Sequence, residues 1–292
     1  MERRKKIGVG MVLLGAGLWG SSSNSVEYLM VHQHFTWAAI LFWRMVCTGV
    51  VFLGTCLYQK QDLLAPLKND WKWLLKFVLL GMYLMQVTFF KSIYYSNAAT
   101  ATVLQYTMPA ILLFMYLIKE RRRPTRREVV AVVLALVGTA LIATKGEGAA
   151  LAISQEALFY GILGAFGMAF YTAYAAVLLK KYSCFLILGW GSLGNALLLG
   201  IFNHPSLEGA LFDLHTVEAF GILFVLGTLV AYYVYLESTK YIPPAETGAL
   251  AAFEPLSAYF FSVVVMGNKV GPVEMLGALC IMVMVGVLAR ND

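Results

Sequence analysis

Runs of about 20 apolar residues follow one another along the whole chain, and a hydrocarbon core roughly 30 Å thick demands that length of a helix. Residues are 60% hydrophobic and 13% charged, and mean hydropathy is +0.73. So few charges cannot build a water-facing surface, which excludes a soluble domain. Strand-like alternation of apolar and polar residues is absent, against a membrane β-barrel. What remains is an all-α integral membrane protein with the lipid bilayer as its solvent. Arg3, Arg4, Lys5 and Lys6 resemble the start of a signal peptide. The apolar run after them continues through Trp19 without a small-x-small cleavage site, so it is expected to stay as the first span.

Ten transmembrane helices are predicted, at 7–29, 36–58, 73–95, 97–118, 126–144, 155–180, 183–202, 215–237, 244–266 and 272–289. Pro124, Pro243-Pro244 and Gly271-Pro272 punctuate the scheme. The connections are short and leave no room for a soluble domain. With the N-terminus cytoplasmic, eighteen lysines and arginines fall at inside ends and loops, the densest stretch being Lys119–Arg127. Only Lys145 and Lys269 fall outside. This is a strong positive-inside bias. It places both termini in the cytoplasm of a multi-pass cell-membrane protein. It also accounts for the net charge of +6 as a topology signal, so no nucleic acid partner is expected.

A displacement of 146 residues superposes the chain on itself: Tyr95 meets Tyr241, Ala99 meets Ala245, Pro109 meets Pro255 and Glu128 meets Glu274. The alphabet is biased toward apolar residues, so the proline and the glutamate carry the signal. Two five-helix repeats are therefore expected, 1–146 and 147–292. An odd number of spans per unit inverts the second copy in the membrane, a design found in many secondary transporters.

Charges deep in a bilayer are costly and mark functional candidates. Arg44 lies roughly 12 Å into the second span and Glu254 roughly 15 Å into the ninth, by helical rise. Lys91 is near the outer end of the third span, within reach of the interface. Glu237 and Glu246 lie at the cytoplasmic mouth of spans eight and nine. Pro255 leaves the carbonyl of Ala251 without its helical donor, as Pro109 does for Gln105. Freed carbonyls beside an acid suit a cation or proton site. Glu254 is the proton-coupling candidate, since a carboxyl in apolar surroundings can exchange a proton near neutral pH. A structural ion pair or hydrogen bond, for instance with Arg44, is the competing account. Arg44, Lys91, Pro109 and Pro255 are structural or gating candidates.

Uncharged polar residues cluster in span one, where Trp19 and Gly20 precede a serine-rich stretch containing Asn24. Serines can bond their own helix carbonyls, whereas Asn24 is harder to hide. Gln86 on span three and Tyr171 and Tyr174 on span six lie deep on aromatic faces that could wall a cavity. Packing or an interfacial belt would produce the same stripes. With Gln105 and Tyr106 of span four they complete the substrate-binding candidates: Trp19, Asn24, Gln86, Gln105, Tyr106, Tyr171, Tyr174 and Glu254. Glycines in spans one and six permit close helix approach. Cys47, Cys56, Cys184 and Cys280 lack metal-ligand spacing. His32, His34, His204 and His215 fall in outside loops near Glu27, Glu208 and Asp213, as solvated residues or, if the loops meet, as a cluster. No metal, no cofactor and no catalytic residue is predicted. Neither Gly-x-Ser-x-Gly nor HExxH occurs, and no histidine lies inside the bilayer, against an enzyme.

The residues collected so far resemble the drug/metabolite transporter superfamily, specifically its ten-span EamA family. Leu18-Trp19-Gly20-Ser21 is similar to that family's Trp-Gly-Ser opening, with the usual Asn delayed to Asn24. Arg44, Pro109, Glu120 and Glu254-Pro255 match its arginine, prolines and acid of spans two, four and nine. Where the family often has Gly-Glu at the end of span nine, this chain has Gly267-Asn268. The resemblance implies a cavity between the halves opened alternately to each side, exporting amino acids or other small metabolites, with or without proton coupling. The alternative is a flippase or exporter of lipid-linked or sugar-containing substrates. Monomer and homodimer both stay open.

Overall fold

A computed structural model describes residues 2–121, 123–145, 153–238, 241, 250 and 253–289. Lys240, Pro243, Pro244, Glu246 and most of the first half of the expected ninth span lie outside the described residues, as do Arg122 and Arg290. Among the described residues all regular structure is helical. In chain order the helices are α1 (Glu2–Val31), α2 (Trp37–Tyr58) and the short α3 (Ala65–Asn69). Then comes α4 (Trp71–Tyr95), followed by α5 (Ala98–Gln105), α6 (Met108–Glu120) and α7 (Arg126–Thr144). The remainder are α8 (Gln155–Leu178), α9 (Cys184–Phe202), α10 (from Leu214 to Ser238), α11 (Phe253–Val264) and α12 (Pro272–Ala289). Six of these are long and apolar enough to cross a bilayer, namely α2, α4, α7, α8, α9 and α10, and α11 and α12 contribute shorter apolar segments. This is an all-helical, multi-pass membrane protein.

Two elements depart from uninterrupted spans. The expected helix 97–118 is broken at Tyr106 and Thr107 into α5 and α6, and Pro109 stands in the first turn of α6. Proline has no N–H to give the carbonyl of Gln105, and its ring excludes the helical position of that carbonyl, so the helix ends before it and restarts. Asn97 caps the start of α5 through Thr100 N (2.8 Å), and Thr107 Oγ1 takes up the Leu104 carbonyl (2.7 Å). Helices α4 and α10 each contain a π-helical stretch, Phe77–Tyr83 and Ile222–Val230. The two stretches coincide at the 146-residue displacement.

Each contains a glycine at matched positions, Gly81 and Gly227. A Cβ on Gly81 would lie 3.0 Å from Tyr171 Cα on α8, and one on Gly227 would collide with the Ser22 side chain on α1. Each widened turn therefore takes a close neighbour from another helix, the α8 backbone at Gly81 and the Ser22 side chain of α1 at Gly227.

Packing is reciprocal at the same displacement. α1 lies on α10 and α11, and its counterpart α8 lies on α4, α5 and α6. The matched pairs α2/α9 and α7/α12 pack on each other. One core cluster centres on Phe77, Phe90, Leu41 and Ile187; a second joins α7 and α12 around Ile142, Ile281 and Met284. The recurring glutamates have the same local job. Glu128 Oε2 accepts from Thr125 N at the start of α7 (2.7 Å), and Glu274 Oε2 accepts from Gly271 N at the start of α12 (3.1 Å). Both close the first turn of their helix. Glu274 also pairs with Lys145 at 3.2 Å.

Candidate functional site

The serines of α1 spend their hydroxyls on their own helix: Ser21 on Leu18 O, Ser22 and Ser23 on Trp19 O, Ser25 on Ser21 O. Asn24 is different. Its Nδ2 donates to Gly20 O (2.9 Å) and to Ala258 O of α11 (3.0 Å), while its Oδ1 is buried without a partner among the described residues. Four residues before it, Gly20 lets α1 settle on the start of α11. A Cβ there would come 2.6 Å from Ala258 N and 2.8 Å from Glu254 O. Ser257 reinforces the seat by donating to Glu254 O (2.8 Å) and Ala16 O (3.3 Å).

Glu254 is the second residue of α11 and is followed by the buried Pro255. Its Oε2 accepts from the Tyr106 hydroxyl at 2.9 Å, so the carboxyl is held by the residue at the α5/α6 break. Both prolines thus mark helix starts, and the acid of one start meets the phenol of the other. Among the described residues no cation forms an ion pair with Glu254. Trp19 forms the adjoining wall, its ring 5.4 Å from Tyr232 and 4.9 Å from Tyr235. Tyr232 and Tyr235 both lie within electrostatic reach of Glu254, and Tyr171 lies beside Tyr232.

Arg44 is buried and does not pair with Glu254. Its Nε donates to Thr228 Oγ1 (3.1 Å), and its Cζ stands 6.0 Å from the Phe90 ring centre. Thr228 is free to face it because the π turn lets its own hydroxyl reach back to Leu223 O, five residues earlier (3.0 Å). Among the described residues no carboxylate pairs with this guanidinium. On insertion scales an arginine at mid-membrane costs about 2.5–3.5 kcal/mol. Arg44, Thr48, Gln86, Ser192, Thr228 and Tyr232 line a cavity of about 10 Å³, space for roughly one water. Tyr232 lies within electrostatic reach of both charges, Arg44 and Glu254.

Trp19, Asn24, Tyr106, Tyr171 and Glu254 are thus gathered around one junction, with Gln105 closing α5 beside Tyr106, and Gln86 belongs to the Arg44 cavity. Tyr174 stands apart, stacked on Phe170 at 5.9 Å with Trp73 6.0 Å away. Lys91 is boxed by aromatic rings, 5.3 Å from Trp37 and 4.9 Å from Tyr160, with Tyr160 Oη at 3.4 Å. Sequence reasoning missed Thr228, Tyr232 and Tyr235, although their spacing of four and three places them on one helical face. It also put Glu27 among the external histidines. Glu27 is buried, accepting from Ala98 N at the start of α5 and from Asn268 Nδ2, both at 2.7 Å. No three metal-ligating side chains converge among the described residues. The four cysteines are free.

Residues 6–144 and, separately, 155–290 match the EamA-like transporter family. The chain belongs to that family. Among curated proteins it is similar to the uncharacterized inner membrane transporter YicL of Salmonella typhimurium, 33% identical over 278 residues, covering 93% of this chain and 91% of that one. A solved crystal structure of a protein 15% identical shares the fold with a TM-score of 0.60, over 98% of this chain and 95% of the other. Family membership makes this EamA protein a membrane transporter.

Proposed function

We propose that this EamA protein is a secondary transporter of the cytoplasmic membrane, built from ten spans as two inverted five-span units, 1–146 and 147–292. It exports small metabolites such as amino acids by alternating access between the halves. The observation that carries this reading is the junction at which Glu254 meets Tyr106 at 2.9 Å. A carboxyl held deep in a bilayer by a neutral phenol, and by no cation among the described residues, is poised to exchange a proton or bind a cationic group. It lies where the helix starts of both halves meet, so its occupancy can bias two packings of comparable energy. Reciprocal packing of α1 and α8, the matched π stretches and the recurring family match support the two-unit plan. The start of α11 gives the substrate path one acid, Glu254. Trp19, Tyr171, Tyr232 and Tyr235 give it amphipathic walls suited to small organic molecules.

The test is reconstitution into liposomes with a metabolite panel, measuring flux with and without a pH gradient. Glu254→Gln is expected to abolish gradient-driven flux while sparing substrate binding or exchange. Unchanged gradient dependence in that variant removes Glu254 from coupling, and no flux of any compound removes the export reading.

A further inference from the structure

Transport through the Glu254 junction makes no use of the polar cavity at Arg44. That cavity, about 10 Å³, lies where α2, α4, α9 and α10 meet. Residues matched at the 146-residue displacement line it together, Met82 with Thr228 and Gln86 with Tyr232. It therefore belongs to both halves, and among its lining residues only Arg44 carries a charge.

The guanidinium is turned toward this space, since its Nε donates to Thr228 Oγ1 (3.1 Å) and Thr228 lines the cavity. Among the described residues neither Nη has a hydrogen-bond acceptor, and no carboxylate pairs with the charge. Two of the neighbouring hydroxyls are already spent, Thr48 on Arg44 O (2.7 Å) and Thr228 on Leu223 O (3.0 Å). Gln86 and Ser192 are different. Both are buried and line the cavity, and neither side chain has a hydrogen-bond partner among the described residues. Buried polar groups ordinarily have partners, so two open ones beside an unbalanced cation ask for one shared acceptor.

A buried water accepts from such donors but leaves the charge unbalanced, whereas an anion does both. Space of this size admits one water-sized particle, which excludes carboxylate, phosphate and sulfate with their several heavy atoms. A halide is a single atom. Its small excess in radius over water falls on Met45 and Met82, whose unbranched thioethers adapt readily.

We propose that the cavity is a chloride site, the ion held by the Arg44 guanidinium, the Gln86 amide N–H and the Ser192 hydroxyl. Chloride there balances the buried charge and ties α2, α4 and α9 together at the meeting of the two halves. The site is separate from the Glu254 junction, and its occupancy is measurable without transport.

The probe is radiolabelled chloride, titrated into the full-length protein in detergent, in gluconate buffer of constant ionic strength. A single saturating site is expected, emptied by bromide and not by sulfate, which is too large for the cavity. Arg44→Gln is expected to weaken chloride by about tenfold or more, on the scale of a lost charge-assisted bond, and Arg44→Lys by less. Ser192→Ala is expected to weaken it by about two- to tenfold. A parent protein that elutes as a single species and binds no chloride saturably assigns the cavity to water and overturns the proposal. Equal displacement by bromide and sulfate, or unchanged binding in a folded Arg44→Gln protein, places chloride elsewhere and overturns it too. If Arg44→Gln fails to fold, Ser192→Ala and the comparison of bromide with sulfate on the parent decide.

Discussion

A guanidinium and a carboxylate buried in one small helical bundle would ordinarily neutralise each other, since separated charges in hydrocarbon are costly. Here they are kept apart: Arg44 is tied to Thr228, Glu254 to Tyr106, and Tyr232 is placed within reach of both. Two charges without an ion-pair partner among the described residues suit a site whose counter-charges arrive with ligand and proton better than one built only for stability. Tyr106 holds the carboxyl itself, and backbone contact seats the turn that carries it. Gly20 admits the Glu254 carbonyl and the Ala258 amide, so Gly20→Ala overpacks the seat and is expected to cost about 1–3 kcal/mol, read as a lowered Tm in detergent. Gly10, on the same helix, has nothing within 4 Å of where a Cβ would stand. Gly10→Ala is therefore expected to be neutral or to stabilise by about 0.5–1 kcal/mol through helix propensity. Equal loss in both variants would mean that the close approach at Gly20 does not matter.

At the scale of elements, the residues that match at the 146-residue displacement also shape the helices they stand in. Glu128 and Glu274, matched in sequence, each close the first turn of a helix, and Pro109 and Pro255 each stand just inside one. Thr125→Ala removes the cap of α7 and is expected to cost about 1 kcal/mol, measured by thermal unfolding. The tie between α3 and α9 is electrostatic. Asp70, outside the spans, accepts from Tyr182 (2.7 Å) and Lys181 (2.9 Å), and these bonds hold its carboxyl below the ordinary value. A lowered folded value means the contribution is complete above the unfolded carboxylate range, about pH 4, and disappears as pH falls through the folded value. Asp70→Asn is accordingly expected to be less stable than the parent at neutral pH, the gap closing below about pH 4 and shrinking in high salt. A gap independent of pH would assign the loss to packing. The prolines and the carbonyls they free were legible, whereas the break at Tyr106 and Thr107 fell inside an expected single helix and the caps went unread, since their partners show only in the folded turn. The π stretches at Phe77–Tyr83 and Ile222–Val230 were not legible either, because one extra residue in a uniformly apolar turn leaves no periodic trace. Glu27 fell inside the expected first span, 7–29, but its partners Ala98 and Asn268 are remote in sequence and left no local signal.

At the scale of the whole molecule, reciprocal packing alone permits two kinds of symmetry. A two-fold axis in the membrane plane inverts one half, while an axis along the membrane normal leaves both halves parallel. Self-paired α2/α9 and α7/α12, with α1 and α8 each crossing to the other half, fit either. Spans per unit decide between them, because five spans must end a unit on the opposite side and an even number must not. Matched loop positions provide the measurement. Lys60 follows α2 and Ser206 follows α9, 146 residues later, and both are exposed. In a background with Cys47, Cys56, Cys184 and Cys280 replaced by serine, Ser206→Cys is expected to react with a membrane-impermeant maleimide added outside intact cells. Lys60→Cys is expected to react only after permeabilisation, in keeping with the eighteen-to-two distribution of basic residues. Labelling of both from one face would make the halves parallel. The Glu254–Tyr106 junction would then lie off any in-plane axis, and occupancy of that one carboxyl could no longer tip the two halves in opposite senses.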